Sequence, residues 1–159
     1  SEERPSALAL TRQTLEELPK SKLQNMNINK GGYTIYGTSI NPDGIIIASG
    51  SEVSIALQAA TELKDKELNI RVISMPCQEL FDRQSQAYKN KCIPPKLDNI
   101  LVVESGKGQS WYKYTGKHGS MITMESFGLS GTGNDVMKHF GFTVSNIKKQ
   151  MQKLIKKNR

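Results

Sequence analysis

The chain has 159 residues, of which 22 are Lys or Arg and 15 are Asp or Glu, so its formal net charge is +7. This length matches one ordinary domain that can bury about 70% of its unfolded surface without disulfide or metal staples. No window approaches the roughly 18 consecutive apolar residues of a membrane span, and the first residues lack the layout of a signal peptide. We therefore expect a cytoplasmic protein. We also expect a single domain over residues 1–159, with a flexible start at residues 1–5.

The first apolar stretch is SALALTRQ, residues 6–13. Small and aliphatic residues alternate from Ala7 to Leu10, which predicts a mostly buried strand that ends on Thr11 and Arg12. The carboxyl ends of strands in an open α/β sheet face the ligand crevice, where a guanidinium can hold a phosphate through two parallel hydrogen bonds. A bond from Arg12 to a neighbouring carbonyl or carboxylate is the structural alternative. The polar segment Thr14 to Gly32 that follows has little periodicity and predicts a long loop.

Five later runs are rich in β-branched residues and predict strands. They are YTIY at Tyr33, IIIAS at Ile45, IRVISM at Ile70, ILVVES at Ile100 and MITM at Met121. Continuous apolar runs are typical of strands covered on both faces in a largely parallel sheet. Residues 51–68, between the second and third runs, have helical spacing of their apolar positions. The pattern therefore predicts a βαβ unit within a three-layer α/β/α fold whose five-stranded sheet is mainly parallel.

The start of this helix carries a possible capping signal. Ser49 stands three residues before Glu52, which is the capping-box spacing, and Ser51 is a competing N-cap residue. Gly50 and the two serines could instead cradle an anion on free backbone N–H groups. The stretch is neither a GxGxxG motif nor a P-loop, so capping is the favoured interpretation and anion binding the alternative.

Punctuation residues divide the second half of the chain. Pro76 predicts a break, followed by a turn around Phe81 and a helix that the IPP sequence stops. A further short helix should stop at Gly141, and Thr143 is the expected N-cap of the last helix.

The excess positive charge lies in that last helix. Residues 143–159 hold six basic residues and no acidic one, whereas the other 142 residues hold 16 basic and 15 acidic residues. Ile147, Met151, Leu154 and Ile155 recur at helical spacing and form one apolar stripe. We therefore predict a docked amphipathic helix with its lysines in water. Nucleic-acid binding by this helix is the alternative, and no recognisable motif supports it.

The sequence holds no catalytic constellation that can be recognised. Cys77 and Cys92 form no CxxC pair, and His118 and His139 have no zinc-ligand spacing, so we predict neither a metal site nor a disulfide. His118 could be a base or a turn residue.

Three further charged residues leave their roles open. Glu104 ends a strand and could contact a ligand, cap the next helix or form a salt bridge. Asp82 and Arg83 are expected to pair locally.

Several motifs together resemble the C-terminal domain of transketolase. In chain order they are PSALALTRQ, GGY, IIIASGSEV, IRVISMPCQELFDRQSQAYKN, VVES, WYKYTGKHGS, ESFGLSG and FGFTVSNI. They extend from Pro5 to about Ile147 and keep the order and similar spacing of the family.

The resemblance implies a homodimeric enzyme of the pentose phosphate pathway that moves a two-carbon ketol unit between sugar phosphates. Such enzymes use thiamine diphosphate and a divalent metal, Mg or Ca, both bound by the first two domains. The resemblance therefore implies no catalytic, cofactor-binding or metal-binding residue in this chain. It also implies that the partners of the chain are the remaining domains and a second subunit, and not nucleic acid or a membrane. The arginine that matches Arg12 helps to bind the substrate phosphate in the family. An independent regulatory module that binds anions or nucleotides is the alternative function.

Two departures limit what the resemblance transfers. Thr11 replaces the usual serine, and the family stretch that often reads FGESAP is FGLSGTG here, with Leu129, Gly131 and Thr132 as changes. No site is assigned to that turn. The aromatic stretch Trp111 to Gly116 is expected either at a domain or subunit interface or in the core.

Overall fold

The structure is a computed structural model, and it describes residues 7, 10, 11, 13–15, 17, 18, 26–37 and 40–158. The strands are β1 (Tyr33–Tyr36), β2 (Gly44–Ala48), β3 (Ile70–Ser74), β4 (Ile100–Glu104) and β5 (Ser120–Thr123). The α-helices are α1 (Glu52–Lys64), α2 (Gln78–Asp82), α3 (Gln86–Cys92), α4 (Tyr112–Thr115), α5 (Gly133–His139) and α6 (Val144–Lys157). Short 3-10 helices cover Ile28–Lys30 and Gly108–Trp111.

The sheet has the order β1-β3-β2-β4-β5. Strand β2 pairs in parallel with both β3 and β4, β4 pairs in parallel with β5, and only the β1–β3 pair is antiparallel. The five predicted strands and the mainly parallel sheet are therefore confirmed. From β2 the chain continues to β3 on one side of the sheet, and from β4 it continues to β5 on the other side. The carboxyl ends of β2 and β4 therefore flank the point where the strand order reverses. Open α/β sheets bind ligands at this point.

Two apolar cores lie on opposite faces of the sheet. Strand β2 contributes Ile46 and Ala48 to one face and Ile45 and Ile47 to the other, because successive side chains alternate across a strand. The first face is covered by α1 and α6, and the second by the segment from α2 to α4. This arrangement gives the three layers predicted from the sequence.

Helix α6 docks through the predicted stripe. Ile147, Met151, Leu154 and Ile155 are all buried, and Thr143 caps the helix by accepting a 3.2 Å hydrogen bond from the Asn146 backbone N–H. The helix packs on α1, where Lys148 forms an ion pair with Glu62.

The second face depends on two features that the sequence did not reveal. Arg71 is buried on β3 and donates hydrogen bonds from its Nη1 to the carbonyls of Lys91 (2.8 Å) and Cys92 (2.7 Å), which ties the carboxyl end of α3 to the sheet. Gly31 has φ +73° and lies so close to α2 that a Cβ there would stand 2.3 Å from the Cys77 carbonyl oxygen. Glycine at position 31 therefore permits the close approach of β1 and α2.

Of the strand predicted at residues 7–10, only Ala7 and Leu10 belong to the described residues. The described residues Ala7 and Leu10 are outside any strand, and Leu10 is 83% exposed. Both edges of the sheet, β1 and β5, lie elsewhere in the chain, so the apolar character of Leu10 serves no strand pairing in this domain. The segment 1–5, expected to be flexible, lies outside the described residues.

The capping box at the start of α1 is also wrong. The N-cap residue is Ser51, whose side chain makes no capping hydrogen bond, and the Ser49 hydroxyl donates instead to Glu104 at 2.7 Å. Only the backbone of Ser49 serves the helix start, by accepting a 3.1 Å bond from the Glu52 N–H. The Ser49 hydroxyl therefore bonds to Glu104, 55 residues away in the chain, and does not cap the helix as the local spacing predicted.

Candidate functional site at the carboxyl edge of the sheet

The loops after β2 and β4 meet at the reversal point of the sheet through Glu104. Its Oε2 accepts a 2.7 Å hydrogen bond from the Ser49 hydroxyl, and its Oε1 accepts a 3.0 Å bond from the Gly106 backbone N–H. Glu104 therefore joins the loop after β2 to the loop after β4, and its bond to Gly106 also stabilises the loop after β4. None of the three roles left open for Glu104 describes these two bonds, which stabilise the loops after β2 and β4.

Glu52 lies beside this network and is only 2% exposed. Its Oε1 accepts a 2.8 Å hydrogen bond from the Ser51 hydroxyl. Burial raises the pKa of Glu52, and the negative charge of nearby Glu104 raises it further, whereas the bonds from Ser51 and Ser105 oppose the rise. The sequence marked Glu52 as a capping residue, and no local signal could show that its carboxyl group is buried.

This cluster does not favour anion binding. Two carboxyl groups, those of Glu52 and Glu104, lie beside the N-terminus of α1. A phosphate there would meet like charge instead of free N–H groups. The two carboxyl groups therefore disfavour anion binding at residues 49–52.

A groove of about 640 Å³ adjoins the cluster. One wall is the amino-terminal half of α1, the second is α5 with its flanking residues, and the third is the N-terminal segment. The polar and charged lining residues include Gln13, Glu17, Ser54, Gln58, Asn134 and Lys138. The groove brings the N-terminal segment to the carboxyl edge of the sheet.

Arg12, the predicted phosphate ligand, lies outside the described residues. Its two neighbours are described: the Thr11 hydroxyl accepts a 3.1 Å hydrogen bond from the Gln13 backbone N–H, and Gln13 lines the groove. The change from the family's serine to Thr11 thus retains the hydroxyl group that closes this turn.

The remaining candidate residues take structural positions. His118 lies in the turn before β5, at the amino end of that strand, whereas Glu104 lies at the carboxyl end of the neighbouring strand β4. Cys92 is buried and Cys77 half-buried, and both are free thiols. Among the described residues, no three His, Cys, Asp or Glu side chains stand close enough together to hold a metal ion.

Asp82 forms a network across the second face. Its carboxylate accepts hydrogen bonds from Lys113 Nζ at 2.5 Å and from the Tyr114 hydroxyl at 2.8 Å. Burial acts to raise the pKa of Asp82, but the bonds from Lys113 and Tyr114 outweigh it and the pKa is lowered. These partners of the Asp82 carboxylate are more than 30 residues away, whereas the sequence predicted local pairing with Arg83. Trp111 and Tyr114 pack in the core, so for these two aromatic residues the core interpretation is confirmed.

Comparison with known proteins identifies the family. Residues 31–143, well over half of the chain, match the family model described as "Transketolase-like TK C-terminal domain". The chain belongs to the transketolase family. It is 40% identical over 144 residues to the transketolase of Aquifex aeolicus, a match that covers 90% of this chain and 21% of that protein.

Solved transketolase structures share the fold. The enzyme from Leishmania mexicana superposes with a TM-score of 0.75 at 35% identity, covering 82% of this chain and 18% of that one. A Pichia stipitis transketolase solved in complex with sedoheptulose 7-phosphate gives a TM-score of 0.73 at 33% identity, covering 90% and 20% of the respective chains. The chain thus spans about a fifth of the length of these transketolases and corresponds to their C-terminal domain. No helix of the described residues is both long and apolar enough to cross a membrane.

Proposed function

We propose that this chain is the C-terminal part of a cytoplasmic, homodimeric transketolase that transfers a two-carbon ketol unit between sugar phosphates of the pentose phosphate pathway. The observation that carries the proposal is the 40% identity over 144 residues to a transketolase. Thiamine diphosphate and its divalent metal, Mg or Ca, are bound by the other domains of that enzyme. The contribution of this chain is structural support and one contact to the substrate.

That contact is made by Arg12, which binds the phosphate of the sugar at the mouth of the substrate channel. A guanidinium can hold a phosphate with two parallel, charge-assisted hydrogen bonds. This remote binding energy orients the sugar for reaction at the cofactor without any chemistry at the arginine. The location of Gln13 at the carboxyl edge of the sheet supports the assignment, since ligands of open α/β sheets bind at that edge.

The test is steady-state ketol transfer by the complete enzyme that carries this segment. Loss of one charge-assisted contact costs on the order of 1.5–3 kcal/mol, so Arg12→Ala should lower kcat/KM by about 10- to 150-fold for acceptors that carry a phosphate. Unphosphorylated acceptors should be used equally well by the parent and the variant.

Two controls separate binding from general damage. Arg12→Lys keeps the charge but loses the paired geometry and should fall between the parent and Arg12→Ala. Arg83→Ala, at an exposed arginine beyond α2, should change neither acceptor class. An equal loss on both acceptors in Arg12→Ala would make Arg12 a structural residue, and no loss on either would remove it from the substrate site.

A further inference from the structure

The loop between β5 and α5 presents apolar side chains to solvent. Every residue from 125 to 135 is exposed. Phe127 is 96% exposed, the highest value among the large apolar side chains of the described residues, and Leu129 is 53% exposed. Burying one such side chain is worth about 1.5–3 kcal/mol, and aromatic residues are enriched at interfaces.

The loop is hydrogen-bonded to the rest of the domain at its start and leads into a capped helix at its end. At its start, the Glu125 carboxylate accepts hydrogen bonds from the Gly108 N–H (3.1 Å) and the Thr123 hydroxyl (2.8 Å). At its end, the Thr132 hydroxyl donates to the Asp135 carboxylate (2.6 Å) and accepts from the Asp135 N–H (3.3 Å). Phe127 therefore lies between a hydrogen-bonded loop start and a capped helix, and its exposure does not come from a free chain end.

The helix that follows this loop borders the N-terminal segment. The loop leads directly into α5, and the α5 residues Gly133 and Lys138 line one groove together with Gln13 and Leu18 of the N-terminal segment. The matched transketolases are four to five times as long as the matched segment, and the family model is that of their C-terminal domain. In such an enzyme the preceding domain connects through this N-terminal segment, which lies across the groove from α5. Covalent linkage raises the effective concentration of that domain at the loop.

We propose that Phe127 and Leu129 dock onto an apolar surface of the domain that precedes this one in the same polypeptide. The proposal rests on the chain being part of a longer transketolase, and it assigns the interface to residues whose role no sequence motif indicates. The preceding domain covers the Phe127 ring and holds the carboxyl edge of this domain toward the rest of the enzyme.

Photo-cross-linking in the full-length enzyme tests the occupant. Benzoyl-phenylalanine in place of Phe127 should, on irradiation, cross-link to a residue of the preceding domain, giving a product of single-subunit mass on a denaturing gel. Mass spectrometry of the digested product identifies the attachment point. A product of doubled mass would assign the loop to the second subunit, and absence of any cross-link would leave the loop in solvent; either result overturns the proposal.

Hydrogen exchange of the same enzyme gives an independent reading. The backbone amides of residues 126–131 should be protected in the parent, and Phe127→Ser should raise their exchange rate by about tenfold or more, as expected for losing the burial of one large apolar side chain. The matched control is Ile40→Ser, because Ile40 is 85% exposed and precedes β2 at the opposite edge of the sheet. Unprotected amides in the parent, or equal effects of the two variants, would contradict docking. Ketol transfer by the parent enzyme is measured separately, so that failure of the proposed function is distinguishable from failure of docking.

Discussion

Glu52 shows how far a single residue can depart from its local pattern. Its position relative to Ser49 is that of a capping box, yet the side chain is buried, bonded to Ser51 and close to Glu104. A three-residue spacing cannot show that the Glu52 side chain is buried or that Glu104 of β4 lies close to it. The same holds for Arg71, whose buried bonds to the end of α3 depend on how that helix crosses the sheet.

The raised pKa of Glu52 has a consequence for stability. Because the folded-state pKa exceeds the unfolded value, the protonated carboxyl group favours the folded state; that contribution is fully present below the unfolded pKa and is lost as the pH rises through the folded pKa. Glu52→Gln, which is neutral throughout, should therefore be more stable than the parent at neutral pH, with the difference shrinking toward low pH. Urea unfolding of the chain at several pH values measures it.

Glu125→Gln is the matched control with the opposite sign. Hydrogen bonds from Thr123 and Gly108 lower the pKa of Glu125, so its stabilising contribution is present above the unfolded pKa and is lost as the pH falls through the folded pKa. This variant should be no more stable than the parent at neutral pH. If Glu52→Gln is destabilising at every pH, Glu52 is held as a required carboxylate and the interpretation is wrong.

At the scale of elements, periodicity predicted the structure where an element buries a whole face. All five β-branched runs from Tyr33 onward form strands, and the stripe of α6 packs as predicted. The run at residues 7–10 has the same apolar character, but at Ala7 and Leu10 the structure has no neighbouring strand. A run of four apolar residues does not show which surface of the protein it will contact. A strand also needs a neighbouring strand for pairing, and the run itself cannot show whether one is present.

Helix α6 offers a direct test of docking by its stripe. Met151 is fully buried and packs against Gly44, where an added Cβ would lie 2.6 Å from the Met151 sulfur. Met151→Ala should lower the free energy of unfolding by about 2–5 kcal/mol, measured by urea denaturation. Lys153→Ala, on the exposed side of the same helix, should change it by less than about 0.5 kcal/mol. Similar effects of the two variants would contradict the packing of α6 on the sheet.

At the scale of the whole molecule, the function depends on what lies outside the chain. The sequence predicted the fold and the family, because both follow from patterns spread over the full length. It placed Arg12 only through resemblance, and Arg12 lies outside the described residues, so its role stays a prediction. The exposure of Phe127, on which the proposed docking to another domain depends, could not be predicted from periodicity.

The central claim is that this chain is a transketolase C-terminal domain that supports catalysis without performing it. The most direct measurement is ketol transfer by a chimaera in which this chain replaces the corresponding domain of the Aquifex aeolicus transketolase, to which it is 40% identical. The chimaera should transfer the ketol unit between sugar phosphates, whereas this chain alone, assayed with thiamine diphosphate and Mg²⁺, should show no turnover. A chimaera that folds and dimerises but is inactive, or turnover by the chain alone, would contradict the account.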